Sequence, residues 1–193
     1  MKHFVYFSKS AATSGNALSS GNLMKAGRMD IAIHSFIQAV YLSNYYRKDV
    51  VFHFVFYGQP DPPKHIEIQV TDELEISKKD IGNLIKKILY KYREGKKTEV
   101  LPGCLVEKKS LLDVVEELSR ENEIFLLDEN GEDIRKAKIP KNCVFVFGDH
   151  EGFPGKELKR LKHKSTMISI GPKIYFASQV AAIVNNEMDR REI

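Results

Sequence analysis

CVFVFGDHEGFPG at residues 143–155 and TMISIGPKIYFASQVAAIVNNEMDRR at residues 166–191 decide how this chain folds. Each opens as a short apolar run, and each run ends on a glycine, Gly148 in the first and Gly171 in the second. A glycine at the carboxyl end of a strand either serves a tight turn or lets backbone approach a ligand where a Cβ would collide. In open α/β sheets ligands sit at those strand ends. After Gly171 the apolar residues Ile174, Ala177, Val180, Ala181, Val184 and Met188 recur at helical spacing, which predicts a helix over residues 172–190.

Upstream, strand-like and helix-like patterns alternate. HFVYFS at 3–8, VVFHFVFY at 50–57, IEIQV at 66–70, a short stretch at 104–106 and IFLLD at 124–128 read as strands. A helix over 29–46 carries Ile33, Phe36, Ile37 and Val40 on one face. Another starts at Ser77, a candidate N-cap, and a third covers 110–119. REGKKTEVLPG at 93–103 combines charge, Gly and Pro and reads as a hinge. ENGED at 129–133 reads as a turn in which Asn130 and Gly131 suit positive φ. The alternation indicates an α/β fold, a mostly parallel sheet sandwiched by helices. One domain over residues 1–193 is expected, since a chain of this length buries roughly 70% of its unfolded surface.

Composition narrows the function. No apolar run approaches the roughly 20 residues that span a bilayer, and MKHFVYFSKS lacks a signal-peptide pattern; a cytoplasmic location is expected. Cys104 and Cys143 show no CxxC spacing. Net charge is +4, with basic clusters at 86–97 and 156–164 and the pair Arg47 and Lys48. A solvated helix face explains any one cluster; several on a small domain also suit a phosphate backbone. GxGxxG and Walker loops are absent. Asp149, His150 and Glu151 could be metal ligands or an acid and base, but consecutive extended residues point in alternate directions, so a metal there is disfavoured.

FGDHEG at 147–152, SIGPKIYFASQ at 169–179, LLDENGED at 126–133, GRMDI at 27–31 and YYRKDVVFHFVFYGQPDPP at 45–63 occur in one order over nearly the whole chain. This set resembles the TrmY family of tRNA pseudouridine N1-methyltransferases, of the SPOUT class. The resemblance implies a carboxyl-terminal trefoil knot, S-adenosylmethionine as cofactor with no metal, a homodimer, and tRNA rather than DNA as partner. By position it implies that Leu127, Gly148, Ile170, Gly171, Pro172, Lys173, Ile174, Tyr175 and Val180 hold the cofactor, with Val180 where the family commonly has cysteine. Packing explains Leu127 and Ile170 equally well. Arg28 of the Arg-x-Asp motif, Arg47 and Lys48 become candidates for the RNA backbone, and Asp30 and Asp149 for the group that accepts a proton. Another RNA position, a non-catalytic RNA-binding factor and a metal-dependent hydrolase remain as alternatives.

Overall fold

Runs such as VVFHFVF and CVFVFG are β-branched and aromatic throughout, and a strand of that kind is stable only with both faces covered. The computed structural model describes residues 1–74 and 77–192. It covers both faces. β1 (Lys2–Ser8), β2 (Val50–Phe56), β6 (Glu123–Asp133), β7 (Cys143–Gly148) and β8 (Thr166–Ser169) are joined by parallel pairings of β1 with β2 and β7, and of β6 with β7 and β8. β3 (Lys64–Ile68), β4 (Thr98–Leu101) and β5 (Cys104–Glu107) extend the sheet through antiparallel pairings beyond β2. The order is β4-β5-β3-β2-β1-β7-β6-β8, a mostly parallel α/β sheet with an antiparallel flank.

Alternation along the strands divides the core. Phe4, Tyr6, Phe52, Phe54, Phe145 and Phe147 face the side packed by α1 (Met29–Val40), α2 (Ile81–Tyr90) and α5 (Ala177–Arg190). Val5, Phe7, Val55, Val144 and Val146 face α3 (Leu111–Leu118) and α4 (Gly155–Lys164). Edge contacts such as Phe4 on Phe147 and Phe36 on Phe52 fit the ring quadrupoles. Each fully buried phenylalanine contributes about 2–3 kcal/mol by transfer from water.

The structure corrects five local expectations. α1 stops at Val40, because Tyr41 is extended (φ −91°, ψ 141°) and bridges to Tyr46. Ser77 does not cap α2; its hydroxyl donates to Asp80 beside a short 3-10 turn, and α2 begins at Ile81. The stretch 93–103 is no hinge, since Thr98–Leu101 pairs with β5 across a turn at Gly103, φ 74°. α5 starts at Ala177, and Ile174 and Phe176 before it are 85% and 78% exposed. Neither Asn130 nor Gly131 takes positive φ.

Gly131 has a different reason to be glycine. A Cβ there would lie 2.5 Å from the backbone nitrogen of Ile168 on β8, a contact no side chain can relieve. Gly131→Ala is therefore expected to cost roughly 1–3 kcal/mol, the usual overpacking range. Urea unfolding checks it, and a cost under about 0.5 kcal/mol would show that β8 moves freely.

Candidate active site

The carboxyl ends of β7 and β8 and the middle of β6 turn outward together and leave a cavity of about 400 Å³. Three segments line it: 127–130, 147–153 and 168–175. The first lies within β6 and the other two run on from the ends of β7 and β8, all in the parallel half of the sheet. Of the residues proposed from sequence to hold a cofactor, Leu127, Gly148, Ile170 and Gly171 line the cavity, as do Lys173, Ile174, Tyr175 and Val180. Pro172 does not line it. A Cβ on Gly148 would meet only ordinary contacts, the nearest at 3.5 Å, so the glycine keeps open space rather than relieving a clash. Gly171 differs. Its φ is 153°, and a Cβ would lie 2.8 Å from the Tyr175 hydroxyl.

Asp149 is the charged group set deepest here. Its backbone N–H donates to the Phe7 carbonyl at 3.2 Å, continuing the β1–β7 ladder one residue past Gly148. Its Oδ1 accepts the Glu151 N–H at 2.9 Å, and its carbonyl accepts the Gly152 N–H at 3.1 Å. Oδ2 is sealed from solvent with no partner, on a residue only 8% exposed. A buried carboxylate oxygen left unpaired costs on the order of 1–3 kcal/mol or more, and a side-chain rotation toward the cavity that Asp149 lines would let it meet a ligand's donor. His150 and Glu151 are both exposed, on a turn rather than an extended stretch, so the expected alternation holds for His150 and not for Glu151.

Arg28 and Asp30 form a bidentate pair, Nε to Oδ1 and Nη2 to Oδ2, both 3.0 Å. The hydrogen bond from Arg28 holds the Asp30 carboxyl below the usual range. Arg28 itself sits in the left-handed region at φ 60°, one residue after Gly27, whose missing side chain lets the turn press on Ser10. Burial, and then the charges of Asp149 and Asp30, push the fully buried Tyr6 phenol upward. The Arg28–Asp30 pair and Asp149 thus act on one side chain of β1.

Arg47 and Lys48 are not brought to this place. They precede β2, at the opposite end of the parallel strands from Gly148. Arg47 is bidentate to Asp189 of α5 at 2.7 and 2.5 Å with its side chain 10% exposed, and Lys48 pairs with Asp72 at 2.6 Å. Within one chain, Arg47 braces α5 against the sheet.

Sequence reasoning missed Asp128, whose Oδ1 accepts the Asn130 N–H at 3.0 Å while Oδ2 pairs with Lys162 at 2.7 Å. The Asp-x-Asn spacing of an Asx-turn is the local signal for it. Phe153, the cavity wall beyond Gly152, carried no signal.

Along its whole length, residues 1–193, the chain matches the family described as "Putative SAM-dependent RNA methyltransferase". The chain belongs to this family. Among curated relatives it is 35% identical to the tRNA (pseudouridine(54)-N(1))-methyltransferase of Pyrococcus abyssi over 176 residues, 86% of each chain. The enzyme of that name from Methanocaldococcus jannaschii is 31% identical over 204 residues, covering 100% of this chain and 98% of the relative. A crystal structure of Archaeoglobus fulgidus Nep1 bound to S-adenosylhomocysteine superposes with a TM-score of 0.64 at 16% identity, covering 99% of this chain and 98% of that one. The family's fold is therefore the fold described above.

Proposed function

We infer that the chain is an S-adenosylmethionine-dependent RNA methyltransferase that methylates N1 of pseudouridine 54 in tRNA. The observation that carries this reading is the glycine-walled cavity with an unpaired Asp149 oxygen, in a chain that belongs to the family. The residues fit the cofactor: Leu127, Ile170 and Val180 offer an apolar slot, and the backbone of 168–171 offers polar groups without a phosphate cradle. Bound there, S-adenosylmethionine supplies a methyl group activated on a sulfonium. The protein's part is alignment of donor and acceptor, together with removal of the N1 proton. Asp149 Oδ2 is the acceptor we assign for that proton, and Asp30 orients Arg28 rather than taking it. The target base, packed in folded tRNA, is extruded into the cavity before reaction. Mass-spectrometric mapping of tRNA from a strain lacking the gene tests the assignment. An unmodified N1 at pseudouridine 54 supports it, and an unchanged methyl there refutes it.

RNA is held from outside the cavity. Arg28, its side chain 41% exposed, presents a planar fork suited to phosphate. Arg28→Ala is expected to retain cofactor affinity while the slope of log affinity for tRNA against log salt becomes shallower by roughly 0.7–0.9. Filter binding at several salt concentrations measures it, and an unaltered slope removes Arg28 from the interface.

The same reading includes a homodimer, a trefoil knot and a cytoplasmic location. Supporting the dimer are exposed Ile174 and Phe176 beside a depression lined by Gln38, Ser178, Gln179, Ala182 and Ile183; in that dimer Arg28 or Arg47 of a second copy would stand close to the cavity. Sedimentation at micromolar concentration distinguishes it from a monomer. Supporting the knot, Arg191 just past α5 donates to the carbonyls of Ala137 at 2.7 Å and Ile134 at 2.5 Å, tying the chain end to the β6–β7 connection. Among the described residues no helix is long and apolar enough to cross a membrane.

A further inference from the structure

Away from the cavity, on the sheet face that α3 and α4 cover, histidines from three neighbouring strands stand in single file. His3 Nδ1 lies 3.0 Å from His53 Nε2, His53 Nδ1 lies 2.9 Å from His65 Nε2, and His65 Nδ1 lies 3.0 Å from Glu107 Oε1. The rings stack at interplanar angles of 24° and 12°. Glu107 polarises the whole row. Paired with Lys109 at 2.9 Å it is a carboxylate, which only accepts, so His65 carries its proton on Nδ1 and turns a lone pair on Nε2 toward His53.

That lone pair has company. Glu67 stands directly opposite His53 in the β2–β3 register, two residues from His65 on the same face. One ligand atom from each of His53, His65 and Glu67 falls within a group whose members lie no more than 4.8 Å apart. We propose that His53, His65 and Glu67 form a binding site for a divalent transition-metal ion of the zinc class.

Four physical features support the site. Two imidazoles and one carboxylate make a three-ligand set that zinc accepts with an open fourth position. The His65–Glu107 bond is the carboxylate–histidine arrangement that orients a metal-binding imidazole and raises its basicity. Zinc–nitrogen bonds of about 2.05 Å in a tetrahedron place two nitrogens about 3.3 Å apart, so the 2.9 Å His53–His65 pair opens by only about 0.4 Å. The ammonium of Lys97, 39% exposed and 3.4 Å from Glu67, holds a loose cationic position that a metal would take over.

Protons balance without loss to solvent. The His53 proton moves from Nδ1 to Nε2 and is then donated to His3 Nδ1, whose own proton passes to Nε2. The ion would pin β2 to β3, where the sheet changes from parallel to antiparallel. None of its ligands lines the cavity, so the proposal stands apart from the methyl-transfer reading.

Chelator-stripped protein titrated with Co²⁺ tests it. One equivalent is expected to give the visible bands of tetrahedral Co²⁺. Zn²⁺ at about one hundred times its Kd is expected to raise the thermal midpoint by roughly 5–10 °C. Glu67→Gln keeps the histidine row, so it should fold normally without metal yet lose the bands and bind at least tenfold more weakly. His163→Ala, which removes an exposed histidine of α4, should respond as the wild type does. Absent bands with an unmoved midpoint in the wild type, or equal responses in wild type and Glu67→Gln, would overturn the assignment.

Discussion

Gly148→Val folds, and it loses S-adenosylmethionine. The nearest atom to an added Cβ is 3.5 Å away, and the other two close neighbours are at 3.6 Å, so the first carbon is tolerated. The two methyl groups beyond it have only the cavity to enter. Affinity is expected to fall at least about 100-fold, about 2.8 kcal/mol at 1.4 kcal/mol per tenfold, with the unfolding midpoint nearly unchanged. Calorimetric titration measures the first and urea unfolding the second. A folded variant with wild-type affinity would place the cofactor elsewhere. Gly171→Val is a poorer probe, because its strain at φ 153° and its approach to Tyr175 confuse folding with binding.

The second large effect is expected at Asp149. Asparagine retains an oxygen for the Glu151 N–H but puts an amide, or the wrong oxygen, where Oδ2 now stands unpaired. If that oxygen takes the N1 proton, Asp149→Asn lowers kcat by about 10²–10⁴ with little change in cofactor affinity. A variant that keeps the wild-type kcat would exclude Asp149 as the proton acceptor.

How much of this was legible depended on the range of the interaction. Val180, Ala181, Val184 and Met188 were readable because a helix face is a local property, and the same periodicity misled at Ile174, whose spacing fits a helix it does not join. Gly148 and Gly171 stood out because they end apolar runs. Thr98–Leu101 was hidden because a four-residue edge strand, Thr-Glu-Val-Leu, set between Lys97 and Pro102 resembles a linker. The fate of Arg47 could not be read, since Asp189 lies 142 residues away. The histidine row was hidden for the same reason: positions 3, 53 and 65 meet only once strand order is known.

Strand order also sets a timetable for synthesis. Of these strands β1 emerges from the ribosome first, yet one of its two neighbours, β7, follows only after five more strands. Until then the flank of β1 carrying Phe4, Val5 and Phe7 has no partner, and an apolar strand edge left open invites pairing with other chains. The cavity walls come later still, ending with Val180. Ligand-binding competence therefore arrives only once residue 180 has been made, and a nascent chain shorter than this gains no protection from the cofactor however much of it the cell contains.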